Sequence, residues 1–142
     1  MTDPTIVSPL VTFALLSYNQ ESFIREAVEG ALSQNYEPLE IILSDDCSSD
    51  RTYEIIHEIA ASYEGPHTLR IRRSEKNQGL ASHFNAVMQE AAGEICVLAA
   101  GDDVSLPDRT KISVDCLQEN PSATAVLLSA DVIDQTGQVV GE

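Results

Sequence analysis

Residues 39–52 read LEIILSDDCSSDRT, and this stretch decides the fold. Residues 39–43 are a short apolar run, which predicts a strand covered on both faces of a sheet. The run gives way to a polar loop, residues 44–50, where Asp45 and Asp46 stand side by side and Ser49 or Asp50 is placed to cap the next helix. Nothing in folding alone requires an acidic pair there. In an open α/β sheet the ligand crevice lies beyond the carboxyl ends of the strands, so carboxylates delivered to that edge converge on a ligand.

A second stretch repeats the arrangement. Residues 94–100 predict a fourth strand, apolar over 95–100, and Gly101, Asp102 and Asp103 follow it directly. Either pair read alone is a solvated turn as readily as a site, but two pairs, each just past a strand, invite a divalent cation held on hard oxygen ligands. Gly101 allows backbone and ligand to approach closely.

The rest of the chain supplies alternating elements. Residues 11–16 predict a first buried strand, ending at Ser17, Tyr18 and Asn19, and residues 21–34 carry apolar side chains at helical spacing. Tyr53, Ile56, Ala60 and Tyr63 stripe a second helix, residues 68–73 alternate as a third strand, and Leu80, Phe84, Val87, Met88 and Ala91 stripe a third helix that Gly93 is expected to cap. Pro107 suits the first turn of a helix running to about residue 117, residues 123–130 predict a fifth strand, and residues 134–137 predict a turn into another strand. Strand and helix in alternation imply right-handed crossovers. The expected fold is therefore α/β, a largely parallel sheet with helices on both faces. No helix follows residues 139–142, so a single domain cut from a longer chain is expected.

Composition limits the partners. The 142 residues carry 23 acidic against 8 basic side chains, a formal charge of -15 that repels nucleic acids and anionic membrane surfaces. An acidic protein that handles a phosphorylated substrate has an electrostatic problem, which bound Mg²⁺ or Mn²⁺ relieves. Cys47, Cys96 and Cys116 are odd in number and far apart, so neither a disulfide framework nor a zinc site is suggested, and a reducing cytoplasm is the expected setting. No apolar run approaches the roughly 20 residues needed to span a bilayer. Histidines 57, 67 and 83 lack metal-ligand spacing. The phosphate-binding P-loop, the dinucleotide fingerprint and the serine-hydrolase elbow are all missing from the sequence.

Smaller features fit a nucleotide site. The ring of Tyr18 can stack on a planar base with Ser17 and Asn19 offering polar contacts, and a carboxylate at Asp46 can accept a base N–H or a ribose hydroxyl. Asn77 and Gly79 form either a plain turn or a phosphate-facing helix N-terminus.

Taken together, residues 12–19 (TFALLSYN), 39–52, 77–85 (NQGLASHFN) and 93–103 (GEICVLAAGDD) resemble the nucleotide-sugar-binding half of the GT-A glycosyltransferases, specifically family 2, in order and spacing. The resemblance implies an inverting transfer of a sugar from a nucleoside diphosphate sugar, a UDP-sugar foremost, to an acceptor hydroxyl of a glycan or lipid-linked acceptor. It implies that Ser17, Tyr18 and Asp46 contact the nucleoside, that Asp45 supports their loop and that Glu21 lies near the donor. Asn77 and Gly79 fall within the donor site, Asp103 binds the cation, and Asp102 holds ribose or metal. It also implies a general base beyond Glu142 and, in the full-length protein, a possible association with membranes. Three departures stand out: Ala100 and Gly101 replace a frequent extra acid, Phe84 replaces a frequent arginine, and Cys47 replaces a frequent glycine. Two other classes share an acidic α/β sheet. A phosphoacceptor signalling domain needs an acidic pair after the first strand and a lysine after the last, where this chain has residues 17–19 and Asp131. A non-catalytic binding module on the same fold is the other.

Overall fold

The computed structural model describes residues 7–142. The chain forms two compact units, one running to Lys111 and the other Ile112–Glu142. Its elements are β1 (Val11–Ser17), α1 (Ile24–Leu32), β2 (Leu39–Asp45), α2 (Thr52–Ala61), β3 (Thr68–Arg73), α3 (Leu80–Glu90), β4 (Ile95–Ala100), α4 (Arg109–Glu119), β5 (Val132–Ile133) and β6 (Val139–Gly141).

In the first unit the four long strands make one sheet in the order β3-β2-β1-β4, with every pair parallel. The chain steps outward from β1 to β2 and β3, then returns to the far side of β1 for β4. That reversal creates a topological switch point between β1 and β4. β1 and β2 are buried on both faces, which is why they read as unbroken apolar runs. Ala14 and Ile42 form one core with Val87 of α3, with Leu16, Met88 and Ala91 packed against it. The alternate residues Phe13, Leu15, Ile41 and Leu43 project to the opposite face and are fully buried. There α1 and α2 pack on the sheet and on each other.

Two expectations are corrected. Gly93 does not cap α3, which ends at Glu90 with Ala91 extended. A Cβ on Gly93 would run into the Thr12 backbone, and its N–H donates to Thr12 Oγ1 at 2.9 Å, so the glycine permits a close crossing. Residues 123–130 form no strand: Leu127 is 97% exposed, and the segment has no ladder partner among the described residues. An apolar run becomes a strand only when another strand pairs with it. What the second unit does form is an antiparallel β5–β6 hairpin. Its turn is the expected 134–137 segment, where the Asp134 carboxylate accepts the amides of Thr136 and Gln138 and Gly137 takes φ +84°.

Candidate functional site

The carboxyl edge of the sheet brings the candidate residues together by register. Ser17, the last residue of β1, pairs with Asp45, the last residue of β2. The Asp46 amide then donates to Ser17 O at 2.9 Å, and the Gly101 amide donates to Leu16 O at 2.9 Å. The two acidic pairs thus flank the end of β1, one on each side. Two interstrand spacings put β2 and β4 about 10 Å apart, the scale of a nucleoside diphosphate.

The pairs differ sharply in environment. β2 runs two residues beyond its apolar run, so Asp45 is 0% exposed and Asp46 2%. Asp45 Oδ2 accepts the Ser48 amide at 2.9 Å, Oδ1 accepts the Ser48 hydroxyl, and Arg73 Nε lies 3.3 Å from Oδ2. Arg73 also donates to Ser48 O and lies over the Tyr53 ring, 4.7 Å from its centroid. Cys47, between the two, has φ +63°, a conformation that favours glycine. Asp46 points the other way: its oxygens accept the amides of Gln78 at 3.1 Å and Gly79 at 3.0 Å, just ahead of α3. The sequence leaves this segment open between a plain turn and a phosphate-facing helix N-terminus, and here a carboxylate of the chain holds its amides.

A second set of hydrogen bonds joins the loop after β1 to the start of α2. The Asn19 amide donates to Ser48 Oγ, the Gln20 amide to Thr52 Oγ1 at 2.7 Å, and the Glu21 amide to Asp50 Oδ2. Glu21 returns a bond by accepting the Arg51 amide at 3.0 Å. Asp50 accepts the Thr52 amide at 2.9 Å from one residue ahead of Arg51, which occupies the N-cap position of α2 in place of the expected Ser49 or Asp50. Desolvation alone would raise the Asp50 pKa, but the Thr52 hydroxyl and amide and the Glu21 amide outweigh it and hold the carboxyl below its ordinary value. The Tyr18 ring stays 46% exposed at the edge, free to stack.

Asp102 and Asp103 are exposed in the turn after β4, closed by the Asp103 amide donating to Ala100 O at 3.1 Å. Gly101 is required there: a Cβ would lie 2.5 Å from Gln20 Oε1 and 2.9 Å from Ser17 Cβ. Arg109 stands near this end, its guanidinium donating to Leu98 O and Ser105 Oγ. Burial pushes the Arg109 pKa down, and the Asp103 charge opposes that shift. Among the described residues no three His, Cys, Asp or Glu side chains sit together as a complete metal site. The donor set still fits Mg²⁺ or Mn²⁺, which bind through one or two carboxylates and take their remaining oxygens from water and substrate phosphates.

Arg73, Ser48, Gln20 and Thr52 were not singled out from the sequence. The signal for Arg73 is its place at the end of β3, opposite Asp45 in the register. The others act through bonds between distant segments.

A parallel sheet with a switch point and acidic groups at its carboxyl edge defines an open α/β protein whose ligand crevice lies at that edge. The family described as glycosyl transferase family 2 matches residues 12–139, and the chain belongs to it. Uncharacterized protein Rv1520 of Mycobacterium tuberculosis is 39% identical over 125 residues, which are 86% of this chain and 35% of that protein. Chondroitin synthase of Escherichia coli is 30% identical over 133 residues, 93% of this chain and 19% of that protein. The chain thus spans about a third or less of the length of these relatives. Among solved structures, S. aureus TarS 1–349 in complex with UDP matches with a TM-score of 0.67 at 23% identity, over 78% of this chain and 32% of that one. The mannosyltransferase PcManGT from Pyrobaculum calidifontis, in complex with GDP-Man and Mn²⁺, matches with a TM-score of 0.64 at 28% identity, over 72% of this chain and 30% of that one. The fold is GT-A. No helix among the described residues is long and apolar enough to cross a membrane.

Proposed function

We propose that this chain is the donor-binding portion of an inverting, metal-dependent glycosyltransferase that moves a sugar from a nucleoside diphosphate sugar to an acceptor hydroxyl. The observation that carries the reading is the placement of two acidic pairs on either side of β1, at the carboxyl edge of a parallel family 2 sheet. Tyr18 stacks on the base, and Ser17 and Asp46 line the nucleoside end. Asp45 and Glu21 hold the loops that carry them, the Asn77–Gly79 turn walls the pocket, and Asp102 and Asp103 hold the cation. A bound Mn²⁺ or Mg²⁺ would neutralise charge on the diphosphate as it leaves. The chain's own residues supply the orientation, fixing the donor so that an acceptor oxygen can displace the diphosphate at the anomeric carbon from the opposite face.

The acceptor, a glycan or lipid-linked hydroxyl, and the general base that takes its proton are assigned to segments beyond those that this chain shares with its longer relatives. A UDP-sugar is the first donor to try, because TarS binds UDP and UDP-GlcNAc, and a GDP-sugar the second, because PcManGT binds GDP-Man. The free cysteines suit a reducing compartment.

The test is calorimetric titration of UDP, GDP and dTDP with and without Mn²⁺, repeated on Asp103→Asn. Expected are binding of at least one nucleotide, strengthening with Mn²⁺, and loss of that strengthening in the variant. Binding that ignores Mn²⁺, or no binding of any nucleotide, refutes the reading.

A further inference from the structure

Asp46 is 2% exposed, and it spends both carboxylate oxygens on the backbone of a segment more than 30 residues away. The Gln78 amide is shared between Oδ1 and Oδ2 at 3.1 Å each, and the Gly79 amide donates to Oδ2 at 3.0 Å. No side chain within α3's own sequence caps it. Gly79 has φ +80°, and the Gly79 carbonyl accepts the His83 amide at 2.9 Å as the first hydrogen bond of the helix. One carboxylate just past β2 therefore holds the last two amides of the turn that leads into α3 and sets a negative charge near the positive end of its dipole. His83, one turn into α3, is tied to β2 itself, its Nε2 lying 2.6 Å from Ser44 Oγ.

We infer that Asp46 is a positioning residue for donor binding, acting through the Asn77–Gly79 turn, which it draws against the end of β2 to wall the nucleoside pocket. This deepens the proposed donor site and rests on it. A carboxylate has about four lone-pair positions, and the two amides leave room for one further donor. Asp46 can therefore hold the turn and still accept a base N–H, but the pocket is complete only while the turn is held. A second consequence concerns the diphosphate: the Gln78 and Gly79 amides, already held by an anion of the chain, are closed to it, and the cation at Asp102 and Asp103 carries that end.

The test separates acting through the turn from contact alone. UDP with Mn²⁺ is titrated into the intact chain and into Asp46→Ala, Asp46→Asn, Gln78→Pro and the Asp46→Ala/Gln78→Pro double variant. Folding is checked by circular dichroism, and amide exchange of residues 77–84 is followed by NMR. Gln78→Pro removes an amide donor and leaves the carboxylate in place. Expected is weaker binding in Asp46→Ala and in Gln78→Pro, by about tenfold, in line with the loss of a charge-assisted hydrogen bond. The double variant is no weaker than the weaker single one, and Asp46→Asn, whose side-chain oxygen can still accept an amide of the turn, falls between wild type and Asp46→Ala. Exchange at Gly79 rises in ligand-free Asp46→Ala. If Gln78→Pro is folded and binds UDP as wild type does, or if the two losses multiply in the double variant, the inference is wrong while the donor site stands. Should Gln78→Pro fail to fold, unchanged Gly79 exchange in Asp46→Ala overturns the inference, and raised exchange together with partial rescue by Asn supports it. Absence of nucleotide binding in the wild type removes the donor site and the inference with it.

Discussion

Replacing Asp45 by alanine is expected to cost more stability than any other single change at the carboxyl edge. The side chain is fully buried and accepts both the amide and the hydroxyl of Ser48, itself 4% exposed. Alanine leaves that amide buried without a partner, about 1–3 kcal/mol, and loses a charge-assisted bond to the hydroxyl, worth a further ~1.5 kcal/mol. The Arg73 side chain is 42% exposed, so its ion pair adds less than about 1 kcal/mol. The expected loss is about 3–4 kcal/mol, which lowers the melting temperature by roughly 10 °C for a chain of this size. Asparagine keeps one acceptor for the Ser48 amide but turns N–H groups toward Arg73 or the hydroxyl, so about half of the loss is expected. Arg73→Ala removes only the exposed partner and its contact with Tyr53, for about 1 kcal/mol. Urea unfolding followed by far-ultraviolet circular dichroism at pH 7 measures all three, and the chain has no tryptophan to serve instead. A loss below about 1 kcal/mol in Asp45→Ala, or an Arg73→Ala loss as large as that of Asp45→Ala, refutes the assignment of the stability to the buried bonds.

Two further expectations concern titrating groups. Burial, followed by the charge of Glu40, pushes the Cys96 thiol up to about 11, so only about one thiol in a thousand is ionised at pH 8. Its alkylation by iodoacetamide should be slow at pH 8 and rise close to tenfold per pH unit toward 10, read by mass spectrometry; a rate that levels off by pH 9 contradicts this. Burial also lowers the His83 pKa from 6.5, Asp46 and Asp45 opposing that shift and Arg72 adding to it. Below 6.5 the unfolded chain takes up this proton before the folded one, so stability should fall as the pH drops from that value toward the folded pKa. His83→Gln should flatten the fall in urea midpoint, and an unchanged pH profile counts against the assignment.

The alternation of strand and helix was legible because β1 and β2 lie inside the sheet and need apolar side chains on both faces. The Asp102–Asp103 turn was legible because acidic residues directly after a strand have no local structural need. The end of β2 was less so: Ser44 and Asp45 look like loop residues, yet both are fully buried and Asp45 still pairs with Ser17 and Arg73. A polar side chain can finish a buried strand when its partners arrive from elsewhere, and Arg73 and Ser48 are those partners. Residues 123–130 misled for the opposite reason, since apolar content signals burial but does not supply a neighbour.

By itself the sequence determined an α/β chain with parallel crossovers and carboxylates at two strand ends, because hydrophobic period and turn residues act over short separations. The tertiary structure decided what those carboxylates do. Asp45 closes its own loop against Arg73, Asp46 reaches across to the start of α3, and only Asp102 and Asp103 stay open to solvent. Hydrogen bonds between segments about 30 residues apart depend on strand order and register, and no local pattern encodes either.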